Sequence, residues 1–200
     1  WHDPNPDFEA AVHNWLDQVL DGPVAAGLAN LTTHLHAHTR NDILGQKLIQ
    51  LTAPGVPDVY QGTEFPEDSL VDPDNRRPVD YAARRRALRE NSEEKLRVTN
   101  AALRLRRERP ESFLTGSYRP VPADGPAATH VVSFQRGSDV LVAVSRWTVR
   151  LAETGWADTT LTLPEGIWTD RLTGAQHSGT IPADGLFAEL PVALLVRGDD

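Results

Sequence analysis

Between Tyr60 and Asp80 the chain concentrates side chains that can grip a ligand by hydrogen bonds. Tyr60, Gln61 and Glu64 come first, and the run Asp72-Pro73-Asp74-Asn75-Arg76-Arg77-Pro78-Val79-Asp80 follows. An ionised Asp only accepts, an Arg guanidinium only donates and Asn does both, so a few residues offer every kind of partner. A guanidinium fork can also pair with a carboxylate and still keep donors for a ligand. This makes the run a candidate substrate edge. The competing reading is that Asp72, Asp74, Arg76 and Arg77 brace one another and only hold the loop. Tyr60 and Glu64 likewise face either a pocket or the structure behind it.

The elements around this cluster are set by breakers. Pro54 and Gly55 end a helical pattern at Leu51, and Pro57 opens a short apolar run at Val59 and Tyr60 that stops at Gly62. The pattern predicts a helix, a tight turn, a brief buried strand and then a loop. In α/β barrels the loops that follow the strands meet at one face and carry the chemistry.

These residues carry a resemblance. Gly55-x-Pro57-x-Val59-Tyr60-x-Gly62-x-Glu64 resembles the eighth-strand motif of the α-amylase family of glycoside hydrolases, glycoside hydrolase family 13. Gln61, where amylases commonly carry Tyr, and the loop at 72–80 resemble the trehalose-forming branch of that family. Trp168-Thr-Asp-Arg-Leu-Thr-Gly174 and Leu190-Pro-Val-Ala-Leu-Leu-Val196 look like the C-terminal end of the same enzymes. The resemblance covers nearly the whole chain but only the C-terminal part of a longer enzyme.

The resemblance implies an isomerase. Its parent reaction cleaves the reducing-end α-1,4 linkage of a maltooligosaccharide and rejoins the glucose through an α,α-1,1 bond, with water kept out of a closed pocket. Such enzymes use a carboxylate nucleophile and a carboxyl acid/base about 5 Å apart, on barrel strands that match nothing here. No catalytic residue is therefore assigned. Asp72, Asp74, Asn75, Arg76, Arg77, Tyr60, Gln61 and Glu64 are the candidate substrate-binding residues. Arg76 matches the arginine of an R-x-P pattern that shapes the sugar pocket in related α-glucosidases. The implied partners are a maltooligosaccharide and the missing N-terminal barrel portion of the same enzyme. No cofactor and no metal are implied. The rival readings are a hydrolase of the same family and a non-catalytic glucan-binding module.

Composition sets outer bounds. A net charge of −8 and a pI near 5.3 argue against nucleic acid and fit a neutral ligand. No cysteine is present, which excludes disulfides and thiolate metal sites. No apolar run approaches the roughly 20 residues of a membrane span, and Trp-His-Asp-Pro-Asn is no signal peptide, so the expectation is a cytoplasmic protein without membrane contact. Methionine is absent even at position 1, so the N-terminus is expected to come from a cloning boundary or from proteolysis.

Along the chain, Asn5 and Pro6 open a helix whose apolar face runs from Phe8 to Leu20, and Gly22-Pro23 stop it. Two further helical patterns cover Val24–Leu35 and Asp42–Leu51. His34 and His38 share ligand spacing on the first of these, without an acidic residue to complete a zinc site. Asp80 predicts a cap for a helix through Arg89, Asn91 and Glu94 a capping box for another, and Pro110 its end. Arg84-Arg85-Arg86 reads as a solvated face. After residue 110 strands are expected at His130–Gln135, Val140–Val144, Thr160–Leu163, Ile167–Leu172 and Val192–Val196, joined by turns that include Asp184-Gly185. The expected fold is α+β: residues 1–110 as helices and the last strand of an incomplete (β/α)8 barrel, and 111–200 as an all-β sandwich. An incomplete barrel leaves helix faces bare, so the chain alone is expected to be inactive, associating with its missing portion or with another copy of itself. Trp147, Trp156 and Trp168 could be sugar platforms or core filler.

Overall fold

The computed structural model describes residues 3–67 and 76–198, divided between two compact units, Trp1–Thr39 and Arg40–Asp200. In the first unit, Asn5 caps α1 (Pro6–Leu20): its Oδ1 accepts from the amides of Asp7 and Phe8, both at 3.1 Å. The helix ends at Asp21, whose amide donates to the Asp17 carbonyl at 2.8 Å. α1 has no buried residue, and α2 (Pro23–Thr52) has none before Leu44. Phe8, Trp15 and Leu20 are each more than 60% exposed, and Val24 and Leu31 more than 50%. The apolar stripe predicted for this region is present, and nothing among the described residues covers it.

The two helical patterns between Val24 and Leu51 are one continuous helix of 30 residues. No proline or glycine falls between Gly27 and Gly45, and a cap-type residue such as Asp42 does not break a helix without a breaker beside it. Thr39 satisfies its hydroxyl within the helix, donating to the Leu35 carbonyl at 3.0 Å.

In the second unit, Leu44, Leu48 and Leu51 form a fully buried stripe at the end of α2. They pack with Val98, Ala102 and Leu105 of α4 (Glu94–Glu108) and Phe113 of α5 (Pro110–Leu114). Between α2 and α4 stands α3 (Tyr81–Glu90). The strands are β1 (Tyr118–Pro120), β2 (Val131–Arg136), β3 (Val140–Ser145), β4 (Thr160–Thr162), β5 (Trp168–Asp170), β6 (Gln176–His177), β7 (Thr180–Pro182) and β8 (Val192–Arg197). Six form an antiparallel sheet in the order β1-β2-β3-β8-β5-β6, and β4 pairs with β7. Central strands β3 and β8 are apolar at every position but their last, Ser145 and Arg197, because both of their faces are covered. Val140, Val142, Val144 and Leu194 face the helices, while Leu141, Ala143, Ala193 and Leu195 pack with Leu161, Ile181 and Trp168. The β2–β3 hairpin turns through Gly137-Ser138-Asp139 as predicted, with Gly137 at φ +56°.

Three local expectations are corrected. No strand forms at Val59–Tyr60: among the described residues no neighbouring strand offers a ladder there, and Tyr60 is 46% exposed. Asn91 does not open a capping box; it ends α3 in the left-handed conformation at φ 52°, which Asn tolerates, and its amide donates to the Ala87 carbonyl. Glu93 is the cap of α4 instead, its carboxylate accepting from the Leu96 amide at 2.7 Å. Asp184 and Gly185 lie inside the short helix α7 (Ala183–Leu186), which like α6 (Thr148–Thr154) carries too little periodicity to predict.

Candidate functional site: a turn clamped by Arg84

The chain leaves α2 through Ala53-Pro54-Gly55 and reaches Asp58, whose carbonyl accepts from the Gln50 side chain at 2.6 Å. Lys47 steadies that amide by donating to its Oε1 at 2.7 Å. A tight turn then runs from Gln61 to Glu64, where the amide and hydroxyl of Thr63 both donate to the Tyr60 carbonyl, at 3.2 and 2.7 Å. Gly62 sits at φ +90°, and a Cβ there would approach the Val79 side chain to 3.2 Å, so only glycine fits this turn without strain.

Arg84 of α3 holds the turn from one side. Its Nε donates to Glu64 at 3.1 Å, one Nη donates to the Gly62 carbonyl, and the other to the Asp80 carbonyl at 3.2 Å. The guanidinium also lies 4.6 Å over the Phe65 ring. Lys95 of α4 adds a bond to the Phe65 carbonyl at 2.9 Å. Arg84 was read from sequence as part of a solvated arginine run; its side chain is only 16% exposed. The one local hint was its position four residues after the capping Asp80, on the helix face that looks back along the chain. Asp80 caps α3 as expected, accepting from the Ala83 amide at 2.8 Å.

Of the sequence candidates, Tyr60, Gln61 and Glu64 fall in this one turn. Tyr81 donates its hydroxyl to Gln61 at 3.1 Å, and Glu64 is engaged by Arg84, so both are oriented by α3. Arg76 and Arg77 are exposed just ahead of α3, each with an interaction of its own. Asp72, Asp74 and Asn75 lie outside the described residues. Behind the turn, Ile43, Gln46, Lys47, Gln50, Glu67 and Lys95 line a cavity of about 440 Å³. Burial lowers the pKa of both lysines below the ordinary lysine value, with Glu64 pulling partly the other way. The arrangement can present oriented donors and acceptors to a hydroxyl-rich ligand. Glu64 and Asp80 already serve the scaffold.

His34 and His38 meet edge-on, with ring centroids 6.0 Å apart. No group of three or more His, Cys, Asp or Glu able to hold a metal occurs among the described residues. No helix among them is long and apolar enough to cross a membrane.

No family model matches the chain. A protein of Mycobacterium tuberculosis named as a maltooligosyl trehalose synthase is 64% identical over 197 residues, 98% of this chain but 26% of that protein. The solved structure of maltooligosyltrehalose synthase from Arthrobacter ramosus matches 99% of this chain at 40% identity and a TM-score of 0.91, over 28% of its own length. A hypothetical maltooligosyl trehalose synthase of Sulfolobus tokodaii matches 98% at 26% identity and a TM-score of 0.73. The chain thus spans about a quarter of the length of each.

Proposed function

We propose that this chain, related over nearly its whole length to maltooligosyl trehalose synthases, is the C-terminal part of such an enzyme and supplies one wall of its glucan pocket. The observation that carries the reading is the 64% identity over 98% of the chain, joined to a turn whose polar side chains are fixed from behind. The parent reaction moves the reducing-end glucose of a maltooligosaccharide from an α-1,4 to an α,α-1,1 linkage, within family 13 of the glycoside hydrolases. In this reading residues 1–110 belong to the barrel and 111–200 form the C-terminal β-sandwich.

The chain's own residues bind and exclude rather than react. Arg76, Arg77 and the acceptors Asp72, Asp74 and Asn75 would line the sugar side of the loop, with Tyr60, Gln61 and Glu64 at its foot. Arg84 acts through Glu64 and the Gly62 carbonyl as a positioning residue. Keeping water from the reaction intermediate favours transfer over hydrolysis, and a rigid wall serves that end. The nucleophile and the acid/base would come from the rest of the parent polypeptide. That polypeptide is also the proposed cover for the bare stripe of α1 and α2, since burying Trp15 alone would contribute about 2 kcal/mol. The chain by itself is then inactive, and a cytoplasmic location suits an acidic enzyme acting on a neutral glucan.

Replacing Arg76 by Ala in the parent enzyme, with maltopentaose as substrate, tests this. Trehalose-ended product should fall about a hundredfold or more in kcat/KM, with reducing ends no longer consumed. Unchanged trehalose formation would remove the loop from the pocket. Net release of reducing sugar by the wild-type parent would favour a hydrolase.

A further inference from the structure

The three tryptophans of the β-rich region fall into different environments. Trp168 is fully buried and its indole N–H donates to the Pro164 carbonyl at 2.8 Å. Trp156 lies flat on Phe187, with ring centroids 5.1 Å apart and planes 20° from parallel. Both belong to the packing. Trp147 is 55% exposed.

Its backbone is unusual. Trp147 has φ +54° and ψ +43°, the left-handed region that bulky residues rarely occupy. It immediately precedes α6 without any side-chain cap bond, so the indole gives the helix nothing in return. Strain at a residue that gives its helix no side-chain cap is a feature of sites that present a group outward.

The ring is held in one orientation. Arg146 covers one face, its Cζ 4.1 Å from the ring, and is itself fixed by donating Nε–H to the Thr129 carbonyl at 2.8 Å. His130 stands perpendicular to the ring at 6.1 Å, and its Nδ1 donates to the Arg146 carbonyl at 3.1 Å. Trp147, Val149 and Arg150 line an open cavity of about 530 Å³ that is mostly apolar, Arg150 being the charged residue of the three.

We infer that Trp147 is the stacking platform of a surface site for an α-1,4-linked glucan chain, with Arg150 donating to sugar hydroxyls. An indole matches the flat C–H face of a pyranose, and a guanidinium donor matches its hydroxyls. A neutral, hydroxyl-rich ligand also suits a chain of net charge −8. The choice of glucan rests on the functional reading above; the existence of a presented, strained tryptophan does not.

The test titrates maltoheptaose into the 200-residue chain and follows heat and indole fluorescence. Trp147→Ala should weaken binding at least about tenfold, and Trp147→Phe should fall between the two. Trp147→Asn separates presentation from packing, because Asn accepts the left-handed backbone: its melting temperature should hold or rise while binding is lost. Three results would overturn the site: no binding by the wild-type chain, equal binding by Trp147→Ala, or a Trp147→Asn variant that loses several degrees of stability along with binding. Trehalose formation by the parent enzyme is measured separately, so failure of the functional reading stays distinguishable from failure of this site.

Discussion

Arg136, at the end of β2, donates to the carbonyl of Thr52, the last residue of α2, at 3.1 Å. Its other Nη reaches the Phe113 carbonyl at 2.8 Å, and the residue is only 3% exposed. Arg106 of α4 joins it, donating to the carbonyls of Leu51 at 3.0 Å and Gly55 at 3.2 Å. Two guanidinium groups therefore close the carbonyl end of α2, where the helix dipole is negative, and hold the lead-in to the Gln61–Glu64 turn.

Replacing Arg136 by Met keeps most of the buried stem and strands two carbonyls. Each unsatisfied buried acceptor costs about 1–3 kcal/mol, so the variant should lose several kcal/mol in urea unfolding. Arg136→Lys should recover only part of this, since one ammonium cannot reproduce the fork.

Arg84→Ala should release the turn without unfolding α3, which keeps its Asp80 cap. In the parent enzyme we expect kcat/KM to fall about tenfold to a hundredfold through misplacement of the pocket wall. Glu64→Gln, which keeps an acceptor for Arg84, should cost less. Equal, full activity in both variants would mean the turn does not touch the pocket.

Asp170 gives a pH dependence of defined sign. Burial raises its pKa above the ordinary 3.8, against three bonds to its carboxylate from the Leu172 and Leu194 amides and the Thr173 hydroxyl. The folded state therefore holds its proton at a higher pH than the unfolded state. Stability from this residue is greatest below 3.8 and declines as pH rises to the folded value. Glu94 has the opposite sign: the Arg40 fork, at 2.6 Å to both oxygens, lowers its pKa, so its contribution disappears on acidification. Asp170→Asn keeps an acceptor and should flatten the first dependence, measured as melting temperature between pH 3 and 7. Asp170→Ala should lose about 1–3 kcal/mol at neutral pH.

Asn91 offers a local check on the corrected helix end. Asn91→Gly should be neutral or slightly stabilising and Asn91→Ala should cost about 1 kcal/mol, because a Cβ without a polar side chain pays for the left-handed backbone. Equal melting temperatures for the two would argue against that conformation.

The parts of the fold that were legible in sequence are those written in local chemistry. Asn5-Pro6, Asp80 and the Gly137 hairpin declare themselves by residue type, and the alternation of Val140, Val142 and Val144 marks its strand. Arg84 and Arg136 were not legible: Arg136 acts only on backbone carbonyls far away in sequence, and the spacing of Arg84 from Asp80 gives no sign of its reach to Gly62 and Glu64. The break expected within α2 failed for a related reason: periodicity slips there, but a helix without a breaker continues. Trp147 could be named as one of three candidates; only its backbone angle and surroundings separate it from Trp156 and Trp168.

The double coverage of β3 limits how this molecule can be divided. A cut at residue 111, where the sequence texture changes, would strip Leu44, Leu48, Leu51, Val98 and Leu105 from one side of the sheet and uncover Val140, Val142 and Val144 to water. Anyone transplanting the β-rich region into another enzyme would have to move the final turns of α2 and all of α4 with it. The apolar cover of the sheet is thus shared between residues on both sides of position 111.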